Sequence, residues 1–230
     1  MTTNLSIFKE PRGFIRVIQA IMAIFAFSTT AGFSTSVSFI MDCNSDDIHD
    51  IEYHFGYPFS LREIPLTIPN CNETGSHRVV YFPYVFSGSA EFFVATGVIA
   101  FLYTILISVV YTIGQDTYQN NPMYPLVDMG ITSVITLFWL AGSSAWADSV
   151  SDMKYYTKPE NLFKNLCECM RKDVCKSDDM GSFASLDVSL VFGFSNFLLW
   201  GVSIWFVYKE TTFHQQRQQQ QGQTNSAGKV

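Results

Sequence analysis

A chain of 230 residues with a net charge of −6 and 15% charged residues has no basic excess of the kind that binds nucleic acid, and no nucleic-acid partner is expected. Its apolar residues gather into four charge-free runs covering about two fifths of the length, which excludes a separate soluble domain of ordinary size. The mean hydropathy of +0.16 conceals this because two polar loops dilute it, so segment length carries the fold class.

Residues 1–13 are short and polar, and Pro11 and Gly13 predict that helix begins only with the first run. Lys9, Arg12 and Arg16 are too few for a lipid-headgroup cluster and are read as charges that hold this end in the cytosol. The first run, 17–41, is twenty-five residues long, much longer than the apolar stretch of a signal peptide. The small residues around Ala31 and Gly32 imitate a cleavage site, but a retained anchor is expected.

The first loop, 42–91, contains IEYHF and RVVYFPYVF, rich in β-branched and aromatic residues and punctuated by Pro, Asn and Gly. These predict a small sheet resting on the membrane surface. His49, His54 and His77 lack ligand spacing, so they are read as solvated and no metal site is assigned. Asn72-Glu-Thr74 is a glycosylation sequon, usable if this loop faces the lumen.

The second run, 92–115, leads through the tight connector QDTYQNNPMYPLVD to the third, 129–147. The second loop, 148–187, precedes the fourth run, 188–208. That run is twenty-one residues without charge, about 30 Å as a helix and therefore as long as the hydrocarbon core is thick. Trp205 near its end suits an interfacial aromatic belt. The tail, 209–230, contains QQRQQQQGQ and is expected to be disordered.

All five cysteines fall in the two loops: Cys43 and Cys71 in the first, Cys167, Cys169 and Cys175 in the second. That segregation predicts an oxidising compartment with each loop closed by one bridge. Zinc is the weaker reading, since the second loop has no histidine. Closing 43 to 71 would stabilise by about 3–4 kcal/mol on the chain-entropy account. Lysine and arginine counts, six in the termini and eight in the loops, do not fix orientation. The first helix and the cysteines do, placing both termini in the cytosol and both loops in the lumen.

No Asp, Glu, Lys, Arg or His lies in the middle of a run; Glu91, Asp128 and Asp187 stand at run ends, where water is expected to reach them. This argues against proton-coupled transport. With no nucleophile–base pair and no phosphate loop, no catalytic residue is assigned and no enzyme is expected. Small residues recur at helical spacing: Ser189, Gly193 and Gly201 in the fourth run, Ala141 with Ala145 and Ser143 with Ala147 in the third. They allow close helix approach, within one bundle or between protomers. Asn196 is read as an interhelical hydrogen-bonding residue.

KEPRGFIRV leading into AIFAF, then SAEFFVATGVIAFLY, SSAWA and VFGFSNFLLWGVSIWFVYKET resemble the synaptophysin family, which has the four-helix MARVEL architecture. The resemblance spans Phe8 to Thr211 and implies an all-α membrane protein. Residues 14–208 would form a four-transmembrane-helix bundle with two disulfide-tied lumenal loops, the first carrying the small β-sheet. It implies bridges Cys43–Cys71 and Cys169–Cys175, with Cys167 left over, and places Asn72 in the loop the family glycosylates. It also implies a vesicle membrane protein, synaptic or transport, that associates with the vesicle SNARE synaptobrevin. Such a protein binds cholesterol as a lipid and self-associates, here into a homo-oligomer. Where synaptophysin has a tyrosine- and glycine-rich tail this sequence has a glutamine-rich stretch, so the resemblance does not extend to tail-dependent phosphorylation and sorting.

Two functions follow. One is a non-enzymatic organiser of vesicle membrane and its SNARE partner. The alternative is a channel- or junction-forming four-helix protein. Against the alternative, connexins have three cysteines in each loop, claudins a tryptophan in the first loop and tetraspanins a CCG motif, and none of these patterns is present.

Overall fold

The computed structural model describes residues 11–44, 47–71, 75–113, 118, 123–166, 169 and 174–210. The expectations for residues before Pro11, for Asn72, for Cys167, for most of the connector and for the tail from Thr211 lie outside the described residues.

In chain order the elements are α1 (Pro11–Ala31), β1 (Ser34–Asn44), β2 (Asp47–Gly56), β3 (Leu66–Pro69), β4 (His77–Val80) and α2 (Ser87–Ile113). There follow α3 (Met123–Tyr156), the short α4 (Pro159–Leu162), β5 (Cys175–Asp179) and α5 (Ala184–Glu210). Four helices, α1, α2, α3 and α5, are long and apolar enough to cross a bilayer. With the two disulfides and the small antiparallel sheets between the helices, this is a four-helix, multi-pass membrane protein.

The first predicted span is corrected. The charge-free run 17–41 is not one helix: α1 ends at Ala31 and β1 begins at Ser34. Beyond Phe33 the chain reads Ser-Thr-Ser-Val-Ser-Phe-Ile-Met, an alternation of period two, and Val37, Phe39 and Met41 are all but inaccessible. Lack of charge is common to a spanning helix and a sheet-core strand; periodicity separates them. The length argument for a retained anchor therefore fails, and α1 is instead tied to the other helices by side-chain bonds.

Pro11 starts the helix rather than delaying it, because the N–H that proline lacks would find no intrahelical carbonyl in the first turn. The other spans are longer than the runs 92–115, 129–147 and 188–208. Those limits stopped at Glu91, Asp128, Asp148 and Asp187, charges that all lie inside helices α2, α3 and α5.

The chain divides into two compact units. The first takes the described parts of 1–25, 95–141 and 192–230 and is helical. The second takes those of 26–94 and 142–191.

In the second unit β1 lies between β2 and β5, both antiparallel to it, so a strand from each loop joins one sheet. Pairing sets Val37 against Tyr53 and Phe39 against Ile51, which gives the sheet one apolar face. That face is buried with a ring cluster in which Tyr53 meets Phe82 at 5.1 Å, while Phe59 and Phe93 meet Trp146 at 5.1 and 6.3 Å. Strands β3 and β4 form a separate two-stranded sheet. Disulfides join Cys43 to Cys71 and Cys169 to Cys175.

Candidate functional site

The first unit contains a buried ion pair that the sequence reading did not anticipate. Arg16 and Asp128 are each 1% exposed at the side chain, with Nη2 to Oδ1 at 2.8 Å. Asp128 was expected to reach water and does not. The reason is the true extent of the helices. Starting α1 at Pro11 sets Arg16 more than a turn inside it, and starting α3 at Met123 does the same for Asp128.

Each charge is fully engaged. Asp128 Oδ1 accepts from Arg16, from the Tyr103 hydroxyl at 2.7 Å and from Thr132 at 3.1 Å. Its Oδ2 accepts from Tyr111 at 2.5 Å and Tyr118 at 3.1 Å. Arg16 donates further to Thr132 and to Gln19 Oε1, at 3.1 and 3.2 Å. Gln19 in turn donates to Ser203 Oγ at 2.8 Å and to the Leu199 carbonyl at 3.4 Å. The guanidinium carbon also lies 5.4 Å from the Trp200 ring centre and 5.7 Å from that of Tyr103. All four long helices contribute a side chain.

The chemistry this allows is structural. An isolated charge in a low-dielectric interior costs several kcal/mol, which only good geometry and further hydrogen bonds offset. Five donors on one carboxylate supply that compensation, and they leave it no free lone pair with which to act as a base. The arrangement is a fixed polar clamp in which helix register is set by bonds that hydrocarbon cannot replace.

Beside Arg16, α1 and α2 enclose a groove of about 440 Å³ lined by Val17, Ile21, Ile24, Ile105 and Val109. Thr104, Ser108 and Thr112 also line it, but their hydroxyls bond carbonyls of their own helix, so the groove presents mainly hydrocarbon.

A family model described as MARVEL, membrane-associating domain, matches residues 7–206. The chain belongs to the MARVEL family. The match begins before α1 and ends within α5, so the clamp and the whole second unit lie inside the MARVEL domain.

The predicted packing residues of this MARVEL domain differ in burial. Ser189 is buried, accepts from the Trp146 indole at 3.0 Å and donates to the Leu186 carbonyl. Gly193 is buried. Gly201 is half-buried, and a Cβ added there would meet nothing within 4 Å. Ala141 and Ala145 are exposed, whereas Ser143 is buried. Asn196 bonds its own helix, from Nδ2 to the Phe192 carbonyl at 2.9 Å.

In the loops, His54 and His77 are exposed and His49 is half-buried; Nε2 of His54 lies 3.3 Å from Glu52. Tyr53 donates to the Leu61 carbonyl at 3.3 Å, and burial pushes its phenol well above the ordinary value. Asp187, exposed as expected, pairs with Lys154 at 2.5 Å.

A signal for the clamp was present. Gln19 stands three residues after Arg16, so two strongly polar side chains share one face of an apolar helix. A basic residue there and an acidic one at 128, each against an apolar run, form a complementary pair.

Proposed function

We propose that this MARVEL protein is a non-enzymatic organiser of vesicle membrane. It has both termini in the cytosol, both loops in the lumen, a glycan on Asn72 and a homo-oligomeric assembly. Its partner class is the vesicle SNARE synaptobrevin, and its lipid surroundings are cholesterol-containing membrane. No dedicated cofactor is assigned.

The observation that carries this reading is the pair of disulfides, one in each interhelical loop. Disulfides persist where the compartment is oxidising, which supports a lumenal position for both loops. Four crossings then return both ends of the chain to the cytosol. The resemblance of KEPRGFIRV and VFGFSNFLLWGVSIWFVYKET to the synaptophysin family supports the vesicle and the SNARE. The saturated carboxylate of Asp128 supports a scaffold rather than a catalyst.

The test is fractionation of cells expressing the full chain, followed by capture from detergent extract and detection of synaptobrevin. Co-enrichment in light vesicles and co-capture are expected. Residence in another membrane without synaptobrevin contradicts the proposal. Glycosidase should shift the mobility of the wild type and leave Asn72→Gln unchanged.

A further inference from the structure

We propose that a cavity at the loop end of α3 binds the phosphate of an acidic phospholipid. The cavity measures about 230 Å³ and lies within the second unit, between the end of α3 and the turn from β5 to α5. Its walls are Lys154, Thr157, Lys158, Met180, Gly181 and Phe183. Among the described residues no carboxylate lines it, so its charged walls are both cationic.

The polar groups around the cavity are largely spent on one another, with one exception. Thr157 donates to the Met153 carbonyl at 2.7 Å, and Asp179 accepts from the Gly181 N–H at 3.1 Å. Asp178 accepts from Ser38 at 2.9 Å. Lys154 pairs with Asp187, but an ammonium has three donors and this bond uses one. Lys158 is exposed, and its ammonium has no anionic or hydrogen-bonding partner among the described residues. An ion pair and a lone cation leave one positive charge uncompensated, which is the complement of a single phosphodiester.

The depth of the cavity names the source of that phosphate. Asp187 immediately precedes the charge-free run 188–208, so it marks where α5 leaves the hydrocarbon. Lys154 lies beyond the end of the run 129–147 on α3, yet its long side chain carries the ammonium back to Asp187. The cavity that Lys154 lines therefore stands at the headgroup layer, directly outside the hydrocarbon. Met180 and Phe183 give it an apolar wall, on which the glycerol end of a lipid gains contact and a free phosphate does not. An acidic headgroup is favoured over a zwitterionic one, because Lys158 would repel a second ammonium. This site is distinct from the Arg16–Asp128 clamp and shares no residue with it.

The test is native mass spectrometry of the full chain in detergent, titrated with phosphatidylglycerol or with phosphatidylcholine. The wild type is expected to retain one phosphatidylglycerol in preference to phosphatidylcholine. Lys158→Gln should bind it at least about tenfold more weakly, the worth of one charge-assisted bond. Lys176→Gln, which changes an exposed lysine of β5 outside the cavity, should bind as the wild type does. Equal retention by the wild type and Lys158→Gln overturns the proposal, as does an equal loss in Lys176→Gln. Should Lys158→Gln fail to fold, two wild-type measurements decide. Phosphatidylcholine held as tightly as phosphatidylglycerol overturns the acidic headgroup. Inorganic phosphate that displaces phosphatidylglycerol at equal concentration makes this a site for a soluble anion and overturns the lipid.

Discussion

Arg16 on α1 and Asp128 on α3 stand 2.8 Å apart and are both sealed from solvent, 112 residues apart in sequence. They form a charged, hydrogen-bonded link between two of the spanning helices, and its worth can be measured. Arg16→Leu or Asp128→Leu alone strands a buried charge and should destabilise by about 3–5 kcal/mol. The double variant removes both charges and should lose clearly less than the sum. Thermal melts of the four proteins in one detergent give the coupling. Additive losses would mean that the pair carries no interaction energy.

The tyrosines are predicted to matter through the carboxylate. Tyr111→Phe and Tyr103→Phe each delete one hydrogen bond to ionised Asp128 and should cost about 1.5–3 kcal/mol. The same changes made on Asp128→Leu should cost much less, since the acceptor is gone. Equal costs in both backgrounds would show that the rings act by packing alone.

Gly181 is a position where only glycine fits. Its φ is +70°, and a Cβ would stand 2.5 Å from the Ser36 carbonyl oxygen and 2.8 Å from Thr35 Oγ1. Gly181→Ala should cost at least about 1–3 kcal/mol from backbone conformation alone, with the close contacts adding to it. Hydrogen exchange should speed up in β1 and β5 and remain unchanged in β3 and β4. Unaltered exchange in β5 would contradict the account of that edge.

The glycines of α5 are expected to separate folding from assembly. Gly193 is buried, so Gly193→Leu should misfold, whereas Gly201→Leu points a side chain into open space and should fold normally. If Gly201 serves the proposed homo-oligomer, its leucine variant should shift crosslinking and detergent size toward smaller species. An unchanged distribution would remove Gly201 from the interface.

These residues also show where the sequence was legible. The four apolar runs did mark four spanning helices, because insertion into hydrocarbon depends on local composition that any window can read. The first run misled at its far end, where the uncharged strand Ser34–Met41 was hidden by the same lack of charge and betrayed only by its alternation. The clamp was missed because its members are distant in sequence and Asp128 looked terminal when boundaries were drawn at charges. The joining of β5 to β1 was equally out of reach, since it pairs two loops and long-range pairing leaves no local signature.

The central claim is vesicle residence with cytosolic ends and lumenal loops, and capture of intact vesicles tests it most directly. Two full-length versions would be compared, one tagged after Val230 and one tagged in the first loop. The account predicts that antibody to the C-terminal tag captures sealed vesicles carrying synaptobrevin, while the loop tag is reached only after permeabilisation. Capture through the loop tag without permeabilisation, or captured membrane lacking synaptobrevin, would contradict it.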